Sequence, residues 1–181
     1  MEVLFRTRHG SHLYGLAHAE SDEDWFTVVA KKDGTTAHTR KKYATHSVVD
    51  GLDSVVVDFG TWLVGCEKGV PQFLEAMFSQ QPEVDRIANF RASFRVGTGV
   101  YQTYLRTIKS FAMEDTFKHK RHALRLALNM NSIRGTGRFN PTLTPSDVYY
   151  TSTHAYWSPE AVYREAKHVA WFTPRGYLTG R

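Results

Sequence analysis

Gly10-Ser11-His12-Leu13-Tyr14-Gly15, followed closely by Ser21-Asp22-Glu23-Asp24, is the stretch on which the reading of this chain turns. Its first half is a small turn whose glycine and serine let backbone N–H groups come close to a polyphosphate. Its second half spaces two carboxylates at i and i+2, positions that share one side of a sheet when they lie in a strand. Acids held on one face repel each other and lose solvation. A chain that keeps them neutralises them with a cation or turns one into a proton carrier. Carboxylate oxygens shared with substrate phosphates suit Mg²⁺.

Outward from this stretch, residues 3–7 read as a strand that ends at the turn, and Ser11 as the N-cap of a short helix through about Ala17. Trp25-Phe26-Thr27-Val28-Val29 is rich in aromatic and β-branched residues and predicts a strand over 24–30. Lys31-Lys32-Asp33-Gly34 reads as a turn, 35–46 as an exposed excursion and 47–50 as a short strand. A strand over 53–57 and an amphipathic helix over 58–68 follow, the helix carrying Phe59, Trp62, Leu63 and Cys66. Pro71 then opens a helix through Phe78.

From about residue 90 the strand pattern fades. Val100, Tyr104, Ile108 and Phe111 keep helical spacing, as do Ala123, Leu124, Ala127, Leu128 and Met130, predicting two paired helices. Gly135, Gly137, Asn140 and Pro141 predict a loop, and 160–169 a last helix. The class is therefore α+β: a small mixed sheet flanked by helices, then a C-terminal helical domain.

A chain of 181 residues can bury a substantial core in one domain, and 41% hydrophobic with 23% charged residues is ordinary for a globular protein. No apolar run approaches the roughly 20 residues that span a bilayer. Met1-Glu2-Val3-Leu4-Phe5-Arg6 lacks the charged-then-apolar order of a signal peptide, so a cytoplasmic protein without a membrane partner is expected. Cys66, the single cysteine, falls in an apolar helical pattern and reads as core. The formal net charge of +5 favours an anionic partner. Its distribution is more telling. Between Thr116 and Ser146 no acid occurs, while Lys118, Lys120, Arg121, Arg125, Arg134 and Arg138 all fall there, either as a solvated helix face or as a surface for phosphates. Arg40-Lys41-Lys42 is a second, smaller cluster.

A neighbouring strand could bring a third acid to Asp22 and Asp24. Asp53 shares its strand face with Val55 and Val57 and reads equally as a ligand or as a turn residue after Gly51-Leu52; Asp58 lies on the other face and reads first as a helix N-cap. Three converging carboxylates would hold two Mg²⁺ ions.

Gly10-Ser11, Tyr14-Gly15 and Ser21-Asp22-x-Asp24 resemble the signature of the nucleotidyltransferase superfamily that includes DNA polymerase beta, and more narrowly that of small bacterial and phage nucleotidyltransferases. Lys68-Gly69-Val70-Pro71 with Leu74-Glu75-Ala76-Met77-Phe78 is similar to that group's strand-helix segment, although an asparagine is usual where Val70 stands. Lys118-x-x-x-His122-x-x-Arg125-Leu126 with Thr136-Gly137 resembles its helical motif. The resemblance covers residues 5 to about 145. It implies a catalytic domain over 1–89 and a helical domain over 90–181. It further implies triphosphate binding at Gly10 and Ser11, metal ligation at Asp22 and Asp24, and Asp53 rather than Asp58 as third carboxylate. Lys118, His122 and Arg125, spaced i, i+4 and i+7 on one helix face, would face the nucleotide or its acceptor.

The expected reaction moves an NMP from an NTP to an acceptor hydroxyl with Mg²⁺ or Mn²⁺, and the basic helical half favours RNA, especially a tRNA end, over a protein or small molecule. The alternative from another class is a nucleotide or nucleic-acid binder without transfer, which would gain nothing from two repelling carboxylates. His9, His38 and His46 read as surface or loop histidines. Trp62, Trp157 and Trp171 read as core rather than as base-stacking platforms.

Overall fold

Strand β1 (Val3–His9) turns Phe5, Thr7 and His9 inward and leaves Arg8 in solvent, the alternation of a half-buried strand. The computed structural model describes residues 2–30, 44–49 and 52–171. After β1 come α1 (Gly10–Tyr14), β2 (Asp24–Val29), β3 (Ala44–Val49), β4 (Leu52–Asp58), α2 (Phe59–Glu67), α3 (Pro71–Phe78), β5 (Val84–Asp85) and α4 (Ala88–Ser93). Four helices complete the described chain: α5 (Tyr101–Met113), α6 (Phe117–Thr136), α7 (Pro145–His154) and α8 (Pro159–Trp171). The strands form one mixed sheet in the order β3-β4-β2-β1-β5, with β2 parallel to β4 and the other neighbours antiparallel.

One sheet face carries the core. Phe5, Phe26, Val28 and Val57 are buried there, and Phe5 stacks on Trp62 of α2 at 5.6 Å between ring centroids. Cys66 is buried beside them, as the apolar pattern predicted, and burial pushes its thiol up, away from reactivity. Phe78 of α3 contacts Phe94 and Phe139, so one apolar cluster runs from the sheet into the helical half. There α6 lies between α5 and α8 and buries Leu124, Leu126, Met130 and Ile133.

The element boundaries depart from expectation where local signals are weak. His9, not Ser11, occupies the N-cap of α1, and the helix ends at Gly15 in the left-handed region. α6 continues through Gly135 and stops at Gly137. β5, α4 and α7 were not anticipated. For α7 the signal was present: Thr144 and Asp147 form a reciprocal capping box with Pro145 in the first turn. The expected turn at Lys31-Lys32-Asp33-Gly34, most of the 35–46 excursion, the Arg40-Lys41-Lys42 cluster and His38 lie outside the described residues, as does the side chain of His46.

Candidate active site

Asp24 opens β2, and its register partners are His9 on β1 and Asp53 on parallel β4. Positions opposite one another on adjacent strands share a sheet face. The row His9, Asp24, Asp53 therefore ends the same face that carries Phe26, Val28, Val55 and Val57. Asp22 lies two residues earlier, exposed on the approach to the strand. Asp58 sits at the far end of β4 opposite Val29, five residues and roughly 16 Å of strand from Asp53. There its Oδ1 accepts the Thr61 backbone N–H at 3.0 Å and caps α2. The side chain of Asp53 is outside the described residues.

Gly10 closes on this row from α1. Its φ of +59° is a conformation that L side chains rarely adopt, and a Cβ there would fall 2.0 Å from Oδ2 of Asp24. The backbone of the turn thus lies directly against the Asp24 carboxylate. Ser11 follows, half-buried, its hydroxyl making no hydrogen bond among the described residues.

The same turn delivers Tyr14 into a buried polar network. Its hydroxyl donates to Glu75 Oε2 at 2.7 Å, and the Arg125 guanidinium donates to Oε1 of the same carboxylate. Arg125 also lies over the Tyr14 ring at 3.6 Å. His9 Nε2 stands 4.0 Å from Glu75. Burial raises the Tyr14 hydroxyl well above its usual range, and Glu75 and Asp24 add to that rise. Burial works to lower the Arg125 guanidinium, but the charge and hydrogen bond of Glu75 together with Tyr14 and Tyr104 outweigh it, and the group is held above its ordinary value.

Arg125 donates a further bond to His122 Nδ1 at 3.3 Å. A guanidinium only donates, so Nδ1 is the acceptor and a neutral ring carries its proton on Nε2. Burial, then the charges of Arg125, Lys118 and Arg121, push His122 down to about 3.

The sequence-predicted residues therefore separate into groups. Gly10, Asp24 and Asp53 come together on backbone register and contact, with Ser11 and Asp22 adjoining. Arg125 and His122 reach them only through Tyr14 and Glu75, and Arg125 is 4% exposed, so it is a buried strut rather than a displayed cation. Lys118 is exposed at the start of α6.

The acid-free basic segment is likewise not one surface. Arg134 donates to the carbonyls of Ala170 and Trp171 at the end of α8, and Arg138 to those of Arg91, Ala92 and Phe94 at the end of α4. Both cap helix C-termini. Lys120 pairs with Asp115. Of the six basic residues, Lys118 and Arg121 alone make no hydrogen bond or ion pair among the described residues. His9 and Trp157 reverse their sequence readings: His9 is buried, and Trp157 is 42% exposed. Trp62 is core, its Nε1 donating to the Phe73 carbonyl, and Trp171 is half-buried against Tyr101. Glu75 went unnoticed as a site residue, although an acid inside the apolar run Phe73-Leu74-Glu75-Ala76-Met77-Phe78 needs a buried partner.

Among the described residues no helix is long and apolar enough to cross a membrane. No curated protein matches the chain. A family model described as RlaP, RNA repair pathway DNA polymerase beta family, matches residues 1–155.

Proposed function

The chain belongs to the RNA repair pathway DNA polymerase beta family, and from that polymerase beta-like nucleotidyltransferase membership we propose that it transfers an NMP from an NTP to a hydroxyl of RNA. The observation that carries the reading is the parallel register of Asp24 with Asp53, closed by the Gly10 backbone against the Asp24 carboxylate. A protein that only binds nucleotide has no use for that juxtaposition of acids.

Among the described residues no three His, Cys, Asp or Glu side chains form a metal-holding group. The donor set nevertheless fits Mg²⁺: Asp22, Asp24 and Asp53 offer only hard oxygens, and Gly10, having no Cβ, lets the turn backbone come up against the Asp24 carboxylate. Bound there, the ion supplies charge neutralisation of the triphosphate and a lowered pKa for the attacking hydroxyl.

Gly10 and Ser11 bind the triphosphate through backbone N–H groups and the Ser11 hydroxyl. The acceptor oxygen forms a bond to the α-phosphorus as the bond from that phosphorus to the bridging oxygen breaks, and pyrophosphate leaves with the electron pair. Asp53 takes or orients the proton of the attacking hydroxyl. Tyr14, Glu75 and Arg125 act at one remove by fixing the turn beside Asp24. Positioning and charge carry such phosphoryl chemistry, so no nucleophilic side chain is needed.

The test incubates the protein with Mg²⁺ or Mn²⁺, each labelled NTP in turn and total RNA. Label is expected on RNA with the wild type and absent with Asp22→Ala/Asp24→Ala. Transfer that survives the double substitution, or no transfer from any NTP, overturns the reading.

A further inference from the structure

Large aromatic side chains rarely stand in water without a task. Three of them lie where the first turn of α6 faces the connection between α7 and α8. Tyr156 is 78% exposed, Trp157 42% and Phe117 37%. Tyr156 lies 5.0 Å from Phe117 between ring centroids, the Arg121 guanidinium lies over the Phe117 ring at 5.4 Å, and Trp157 packs on His154 at 4.3 Å. Arg121 and Lys118, the latter next to Phe117 in sequence and exposed, are the two basic residues of the segment without an ion pair or hydrogen bond among the described residues.

The backbone around the patch is anchored. Thr116 caps α6 by accepting the His119 backbone N–H at 3.2 Å. Lys120 crosses from α6 to donate to the Trp157 carbonyl at 2.9 Å while pairing with Asp115. The first turn of α6 is thus tied to the segment that carries Tyr156 and Trp157.

From these observations we infer that the Phe117, Tyr156, Trp157 surface with Lys118 and Arg121 is a stacking platform for single-stranded RNA, and that it seats the acceptor strand. Flat rings take unpaired bases in any sequence, and adjacent unpaired cations take the backbone phosphates. One turn further along α6, His122 meets the Tyr14 ring edge-on at 6.0 Å, so the helix that carries Phe117 also reaches the turn of the candidate active site. The assignment to the acceptor strand rests on the transfer reading above; the binding surface does not.

The experiment measures fluorescence anisotropy of a labelled single-stranded RNA oligonucleotide on the intact chain, beside the same oligonucleotide with abasic sites and a duplex. The single strand is expected to bind best. Tyr156→Ala/Trp157→Ala should weaken it by about tenfold or more, whereas Tyr156→Phe and Trp157→Phe, which keep the ring faces, should stay close to wild type. Arg121→Ala should lower the salt slope by about one. Equal unfolding temperatures for all variants separate binding from folding. If the single strand does not bind, or binds the double alanine variant as well as wild type, the platform is overturned. If binding behaves as expected while label from NTP never reaches RNA, the platform stands and the transfer reading fails.

Discussion

Glu75 on α3 and Arg125 on α6 form an ion pair with both side chains almost fully buried, at 2% and 5% exposure. The pair joins the helix that backs the sheet to the long helix of the second half, and Tyr14 binds the same carboxylate. It converts a spacing that looked like a nucleotide-facing stripe into the support of the Gly10 turn.

Removing one member leaves the other charge buried without compensation. Arg125→Met should cost about 3–5 kcal/mol, read by denaturant unfolding. The double variant Glu75→Gln/Arg125→Met should cost clearly less than the sum of the two single changes. Additive losses would show that the pair is not coupled.

Asp24 and Asp58 should part company in function. Asp24→Asn is expected to lower nucleotide transfer by more than about 100-fold, beyond what loss of a supporting partner costs, with little change in melting temperature. Asp58→Ala should keep transfer and cost about 0.5–2 kcal/mol, the scale of a lost N-cap. The reverse pattern in paired rate and melting measurements would move the chemistry to the other end of β4.

Gly10→Ala and Gly15→Ala test the cradle. Both residues have positive φ, +59° and +73°, so both substitutions carry about 1–2 kcal/mol of backbone strain. A Cβ at Gly15 meets only Thr142 Cγ2 at 3.5 Å, whereas one at Gly10 collides with the Asp24 carboxylate. Transfer should therefore be lost in Gly10→Ala and largely kept in Gly15→Ala at comparable stability. Equal activity in the two variants would remove the cradle from the mechanism.

His122 should make acidification destabilising. Its folded value near 3 lies below the ordinary 6.5, so between these values the unfolded chain binds more protons and stability falls as pH drops. His122→Asn keeps an acceptor for Arg125 without titrating. Between pH 7 and 5 the variant is expected to lose about 1–2 kcal/mol less than wild type, a figure reduced for partial solvent access. Parallel pH profiles in thermal unfolding would exclude His122 as the titrating group.

Much of the sheet was legible because its signals are local. Aromatic and β-branched residues marked β2, and the parity of 53, 55 and 57 against 58 put Asp53 and Asp58 on opposite faces before any partner strand was known. Pro71 and the apolar run behind it bounded α3 to the residue. β5 carried no such mark: two residues form a strand only because β1 offers Phe5 and Arg6 as partners.

Side-chain fate was the larger gap. Arg125, Arg134 and Arg138 read alike along the chain, yet one neutralises Glu75 and the other two cap distant helices. Trp157 read as core and is exposed, while His9 read as surface and is buried. The sequence alone was enough for the fold class, the faces of the strands and the family of the Gly10 to Asp24 stretch, because periodicity and turn chemistry act over a few residues. Tertiary structure decided which of those residues meet: Asp24 with Asp53, Gly10 with Asp24, Glu75 with Arg125. Burial and charge pairing depend on what lies opposite in space, and 50 residues of chain separate the last pair.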